Sequence, residues 1–279
     1  MDGGIQAWHW ECSTCNYENA ELAPAINQAT AHDQIDEQFR EKGLRPLRVD
    51  NFDKLLHAII ENRKKTGSLL DVGCAHGWFL ERAGEMGFKA LGIEPDLHVY
   101  EATHQRGLHV RRGFFPEVLS SNEQFDVIVF NDVFEHIPDV KSTLAECRAH
   151  LKPAGMLVLN LPSSSGVFYR TSRLLLNLGI GGFFERLWQK DLPSPHLHYF
   201  CQENLRQLLE RNGFKEIAVG RLSTISMKGL YTRVSYTRGH SLPVRLLICL
   251  IVTLAFPIIF MMPSDIVYSL STKNGGESG

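Results

Sequence analysis

No sign of charge dominates this sequence: 29 Lys and Arg face 31 Asp and Glu, a formal net charge of −2. A nucleic-acid surface needs a basic stripe or a high pI, so nucleic acid is disfavoured as a partner. Cysteine is sparse and dispersed, with six residues at positions 12, 15, 74, 147, 201 and 249. Only Cys12 and Cys15 stand close together, which argues against a disulfide-framed scaffold, and the N-terminus does not read as a secretory leader. A reducing, cytoplasmic setting is expected. Internal repeats and low-complexity tracts are absent as well, which excludes repeat architectures.

One run is exceptional. Residues 246–262 read LLICLIVTLAFPIIFMM, seventeen positions without a charge and with Pro257 inside. A spanning helix needs about 20 apolar residues, with roughly 17 as the lower limit.

Elsewhere the apolar residues are patterned. Residues 31–66 carry them at helical spacing, with Phe52, Leu55, Leu56, Ile59 and Ile60 as the clearest stripe. From residue 68 short apolar runs (68–73, 89–94, 108–112, 125–130 and 155–161) alternate with helical stretches (77–87, 97–106 and 140–151). That alternation predicts an α/β fold with a largely parallel sheet covered by helices on both faces. Residues 162–200 interrupt it with Ser, Gly, Pro and aromatics. A helix near 202–212, a strand at 214–222 and an alternating stretch at 265–270 follow.

The first strand ends in Asp71-Val-Gly73-Cys-Ala-His-Gly77-Trp78. A glycine turn between strand and helix lets a ligand approach the backbone, and the helix start offers unpaired N–H groups. Ala75 and Trp78 stand where a dinucleotide fingerprint has its second and third glycines, so a pyrophosphate fits poorly. The next strand ends in Glu94-Pro95-Asp96, 23 residues after Asp71, where a carboxylate can accept from two ribose hydroxyls. Further on stand Phe125-Asp126, then Asn131-Asp132-Val-Phe-Glu135-His136-Ile-Pro-Asp139, Leu151-Lys-Pro-Ala-Gly155, and His198-Tyr-Phe200.

In that order and spacing these segments resemble the class I S-adenosylmethionine-dependent methyltransferases, over roughly residues 66–222. The resemblance implies a Rossmann-like, seven-stranded sheet and S-adenosylmethionine as cofactor. It implies a donor site built from Asp71, Gly73, Cys74, Ala75, Gly77, Trp78, Glu94, Pro95, Asn131 and Asp132, with Gly113 and Phe114 at the adenine. Asp132, Glu135 and His136 are similar to the E-x-x-E-H of ubiquinone-biosynthesis O-methyltransferases, where those side chains bind a divalent cation. Here Asp132 shortens the reach of the first acid, so a hydrogen-bonded turn without a metal is expected.

Methyl transfer to a hydroxyl needs a nearby proton acceptor, and histidine titrates in the right range. His136, at the carboxyl edge of the sheet, and His196 and His198, in the insert, are the candidates. Trp188 and Tyr199 are expected to line the acceptor pocket. Cys12 and Cys15 have zinc-ligand spacing but lack a second pair, leaving His9 and His32 as the other candidates.

Three segments are therefore expected: an extension over 1–48, a methyltransferase core over 49–222 with a lid at 162–200, and a tail over 223–279. The expected activity is methyl transfer, preferentially at oxygen, to a small-molecule or lipid- or sugar-linked acceptor. Nitrogen or carbon methylation, or a catalytically silent scaffold at a membrane, are the alternatives. For residues 246–262, contact with a membrane surface is favoured over a buried helix or a span; a returning strand at 265–270 would keep both ends on one side. Were the run a span, Arg238 and Arg245 would hold its start on the cytoplasmic side.

Overall fold

Short strands begin the chain because its first residues carry too few consecutive apolar positions for anything longer. The computed structural model describes residues 2–3, 6–25, 37–227, 229–236 and 241–274. His32, Arg238 and positions 31–36 of the expected helical stretch lie outside these residues. Strands β1 (Asp2–Gly3), β2 (His9–Glu11) and β3 (Glu18–Ala20) form an antiparallel set, and helix α1 (Glu37–Arg63) follows.

The main sheet comes next. Strands β4 (Ser68–Val72), β5 (Lys89–Glu94), β6 (Val110–Arg112), β7 (Phe125–Asn131) and β8 (Leu151–Pro162) alternate with α2 (Trp78–Glu85), α3 (Leu97–Gln105) and α4 (Val140–His150). The insert then contributes α5 (Val167–Asn177), α6 (Gly182–Leu187) and the two-residue β9 (His198–Tyr199). Helix α7 (Gln202–Arg211), β10 (Phe214–Leu222), α8 (Leu230–Tyr236), α9 (Leu242–Met261) and β11 (Ile266–Lys273) complete the described elements.

The seven-stranded sheet runs β10-β11-β8-β7-β4-β5-β6. Strands β4 to β8 are parallel, whereas β11 is antiparallel to both of its neighbours. Both faces are buried, which explains the unbroken apolar runs. In β7, Ile128 and Phe130 join Leu70, Leu157 and Leu159 in one core. Val127 and Val129 point the other way, onto Phe52, Leu55, Leu56 and Ile59 of α1.

Topology places the ligand side. The order reverses between β4 and β7, and open α/β sheets bind ligands beyond the carboxyl ends of their strands at such a point. The donor loop after β4 and the turn after β7 meet at that edge. So does the insert, which continues from β8. A second sheet, β1-β2-β3-β9, joins the N-terminal strands to it through Glu18↔Tyr199 and Asn19↔His198. Its core gathers Tyr169, Phe184, Trp188 and Tyr199, with Trp8 packed against them.

Candidate active site

The loop between β4 and α2 turns sharply because Gly73, Ala75 and Gly77 all have positive φ, at 71°, 46° and 71°. A Cβ on Gly77 would stand 2.4 Å from Leu108 Cδ1 and 2.8 Å from Thr103 Cγ2, so that position requires glycine. The Gly73 and Cys74 amides both donate to the Ile93 carbonyl, at 2.8 and 2.9 Å, which fastens the loop to β5. Gly77 at the N-cap has no side chain to cap α2, so the first-turn N–H groups keep their positive end for a ligand.

Two carboxylates converge beneath this loop. Asp71 is 1% exposed and accepts from Asn131 Nδ2 at 3.2 Å. Burial, opposed by that hydrogen bond and assisted by the charge of Glu94, pushes its carboxyl up to about 8. Glu94 accepts the Ala75 amide on Oε2 and the Asp96 amide on Oε1, each at 2.9 Å. Burial also raises Glu94, against the pull of those two amides. Among the described residues neither carboxylate forms an ion pair with Lys or Arg. A buried acid pair with no Lys or Arg partner among the described residues suits a ligand that brings a sulfonium and an ammonium. The uncapped helix start suits that ligand's carboxylate, and Glu94 keeps lone pairs for a ribose diol.

The remaining donor-site residues divide by what faces outward. Gly113, with φ of 135°, donates its amide to the Glu94 carbonyl at 3.1 Å and places Phe114 beside that strand end. Phe114 is half exposed and offers an open aromatic face. Pro95 carries the chain from Glu94 to the Asp96 cap of α3. Cys74 and Trp78 turn their side chains into the core, which leaves only backbone to the site.

At the end of β7, Asn131 lies within 3.5 Å of Asn160 Nδ2 through Oδ1, and the Asp132 amide donates to the Asn160 carbonyl at 2.9 Å. Asp132 itself has φ of 53°, and its Oδ2 lies 3.3 Å from Arg48 Nη1. Sequence reasoning missed both Arg48 and Asn160. Asn160 was visible as the single polar residue of the apolar run 155–161; Arg48 left no local signal.

The turn Phe134–His136 brings three groups together. Glu135 is 1% exposed, and among the described residues neither carboxylate oxygen has a hydrogen-bond partner. His136 Nε2 lies 3.9 Å and His196 Nε2 4.0 Å from Glu135 Oε1. His136 Nδ1 is 2.8 Å from the Pro195 carbonyl and donates to it, which leaves the lone pair on Nε2. Burial lowers the pKa of His136 and holds that of His196 well below the usual value.

A methyltransferase-domain family model matches residues 25–219. The chain belongs to the methyltransferase-domain family. This is the class I S-adenosylmethionine-dependent group that its motifs resemble. A ubiquinone biosynthesis O-methyltransferase from Paramagnetospirillum magneticum is 41% identical over 96 residues, 33% of this chain and 39% of that relative. The mitochondrial ubiquinone biosynthesis O-methyltransferase of Bos taurus is 27% identical over 168 residues, 55% of this chain and 43% of that relative. The chain thus spans about two-fifths of the length of these relatives. Among solved structures, a cyclopropane synthase from Mycobacterium tuberculosis superposes with a TM-score of 0.59 at 17% identity, covering 91% of this chain and all of that one. A putative methyltransferase complexed with the Trm112 activator from Haloferax volcanii gives 0.60 at 14% identity, covering 89% and 100%. These likenesses establish the fold.

Within this methyltransferase fold several expected roles change. His198 is a brace, because its Nδ1 accepts from the Tyr17 hydroxyl at 2.5 Å while Nε2 donates to the Ile137 carbonyl at 2.8 Å. Trp188 and Tyr199, expected to line the acceptor pocket, are instead 0% and 2% exposed in the core of the insert. His9, a candidate zinc ligand, pairs through Nε2 with the buried Glu18 at 2.7 Å. Gln189, which lies 2.8 Å from His196 through Nε2, was not foreseen.

Proposed function

We propose that this chain transfers a methyl group from S-adenosylmethionine to a hydroxyl oxygen of a small acceptor held in or linked to lipid. The observation that carries the reading is the buried Asp71–Glu94 pair beneath an uncapped helix start. S-Adenosylmethionine supplies an activated methyl on a good leaving group, so the protein's tasks are positioning and removal of one proton.

His136 takes the proton-accepting role. Its lowered pKa keeps the ring neutral near pH 7, and the Pro195 carbonyl fixes the tautomer. Among the three candidate histidines, His198 has both ring nitrogens engaged and His196 is held by Gln189.

The tail supports a membrane-borne acceptor. Within α9, residues 242–259 have a mean hydropathy of 2.5 and none of that window is buried. Leu246, Leu250, Leu254 and Ile258 are each more than half exposed. Leu222 and Ile266 are register partners, so the chain leaves the sheet and returns to it at one point. The intervening α8 has 7 residues, too few for a return crossing of the roughly 20 that a span needs. Contact with one leaflet therefore fits better than a span. Because β10 is parallel to β8, this excursion leaves from the carboxyl edge of the sheet, and its return lies next to the start of the insert, where the Ser163 amide donates to the Asp265 carbonyl and the Val167 amide to the Pro263 carbonyl. The insert adds exposed Leu174, Leu178 and Phe183 on segments that continue from the same edge.

Incubation of the full chain with methyl-labelled donor and solvent-extracted lipids tests the reading. Alkali-stable label in the organic phase is the expected result. Label confined to water-soluble products overturns the lipid-linked acceptor, and label on nitrogen or carbon overturns O-methylation. In liposome flotation, the full chain is expected to rise with vesicles and a chain lacking residues 242–261 to stay below.

A further inference from the structure

Cys12 and Cys15 stand on the turn between β2 and β3, away from the donor loop. The Asn16 amide donates to the Cys12 carbonyl at 2.9 Å, and the Cys12 amide donates to the Tyr17 carbonyl at 2.8 Å. The first bond closes one helical turn, which brings side chains i and i+3 to the same side. Asn16, with φ of 55°, then returns the chain to β3. Both thiols are partly exposed. The Cys12 sulfur accepts the Thr14 and Cys15 amides, and the Cys15 thiol donates to it as well.

These two sulfurs lack the further ligands of a structural zinc site. His9 pairs with Glu18, and among the described residues no third His, Cys, Asp or Glu completes a set with them within 4.8 Å.

We propose that Cys12 and Cys15 form a redox-active dithiol that exchanges with small disulfides of the glutathione class, with Cys12 as the attacking sulfur. This chemistry needs neither methyl donor nor acceptor. The donors held against Cys12, the Thr14 amide foremost, lower its pKa below the usual thiol value. Burial raises Cys15, which suits the resolving thiol. The Cys12 thiolate attacks one sulfur of the small disulfide, forming a mixed disulfide and releasing one small thiolate. Cys15 gives its proton to that thiolate and attacks Cys12 Sγ. The second small thiolate leaves and takes up from solvent the proton that Cys12 had lost. Two protein thiols are thereby oxidised to one disulfide, and the small disulfide is reduced to two thiols.

The pair sits where the N-terminal strands meet the insert. Asn204 Nδ2, in the first turn of α7, donates to the Cys15 carbonyl at 3.1 Å, and Tyr17, two residues on, holds His198. A covalent restraint on this turn therefore acts on the junction that fastens the insert.

Incubation of the full chain across ratios of oxidised to reduced glutathione, then alkylation and peptide mass spectrometry, tests the assignment. A Cys12–Cys15 bond is expected to form and to reverse fully as the ratio falls. Limiting iodoacetamide should label Cys12 ahead of Cys15 in the wild type, a comparison that no folding defect can obscure. Cys15→Ser should accumulate glutathione on Cys12, whereas Cys12→Ser should slow glutathionylation of Cys15 by roughly tenfold or more. Absence of the Cys12–Cys15 bond at every ratio, a Cys15–Cys201 bond in its place, or faster labelling of Cys15 overturns the proposal. So does one equivalent of zinc held by the wild type and lost in Cys12→Ser, which would make the pair metal ligands.

Discussion

The Tyr17 hydroxyl and His198 Nδ1 lie 2.5 Å apart, joining two residues 181 positions distant in the chain. Asn19 Nδ2 approaches the same nitrogen at 3.2 Å, and the opposite nitrogen donates to the Ile137 carbonyl. One ring thus ties the N-terminal strands and the insert to the turn after β7. His198→Ala should lower unfolding stability by about 1–3 kcal/mol, the cost of leaving buried partners unsatisfied. Donor affinity should stay near that of the wild type. Urea unfolding and calorimetric donor titration check both; an unchanged midpoint with abolished turnover would make His198 a reacting group after all.

His136 carries the pH dependence of turnover in this reading. Its pKa is lowered by burial, so the proton-accepting neutral form persists below pH 6.5 and is lost only in more acidic solution. Turnover should fall on an acidic limb with its midpoint below 6.5. In His136→Gln that limb should disappear and turnover drop by roughly 100-fold or more, within the range for general base catalysis. A pH–rate profile of both proteins measures this. An identical acidic limb in the variant removes His136 from the role.

Asp71 makes the free protein sensitive to alkali. Its folded carboxyl titrates at about 8, above the value near 3.8 of an exposed aspartate. A raised acid contributes stability below the unfolded value, and that contribution is lost as pH rises toward 8. Asp71→Asn should therefore gain melting temperature relative to wild type at pH 9, by about 2–8 °C, and much less at pH 5. The same variant should bind donor less tightly, because the ligand's positive charges lose their partner. Thermal melts at both pH values, with and without donor, check the sign; equal effects at the two pH values contradict it.

Much of this architecture was readable from local patterns. Residues 89–94 and 214–222 were expected as strands and form β5 and β10 with those bounds. Asp71 and Glu94 stood out because acids at strand ends, beside a glycine turn, have a chemical use. Contacts set by tertiary packing were not readable. Nothing near Arg48 announces Asp132, and nothing near His196 announces Glu135. Trp188 and Tyr199 look like pocket aromatics until Trp8 and His9 arrive from the N-terminus to bury Trp188. Strands β2 and β3 escaped notice because three residues are too few to show a period. The apolar run announced an unusually apolar helix, but only the Leu222–Ile266 pairing brings the two ends of its excursion together.

Calorimetric titration of S-adenosylmethionine into the full chain and into Glu94→Ala tests the central claim most directly. The wild type should bind one equivalent. The variant should bind roughly ten- to a hundredfold more weakly, as expected when charge-assisted hydrogen bonds worth about 1.5–3 kcal/mol are removed. Glu94→Gln keeps one acceptor oxygen for either the Ala75 or the Asp96 amide and turns an NH2 donor toward the other, so it should lose affinity as well, by less than Glu94→Ala. Absence of binding by the intact protein, or unchanged affinity in Glu94→Ala, contradicts the account.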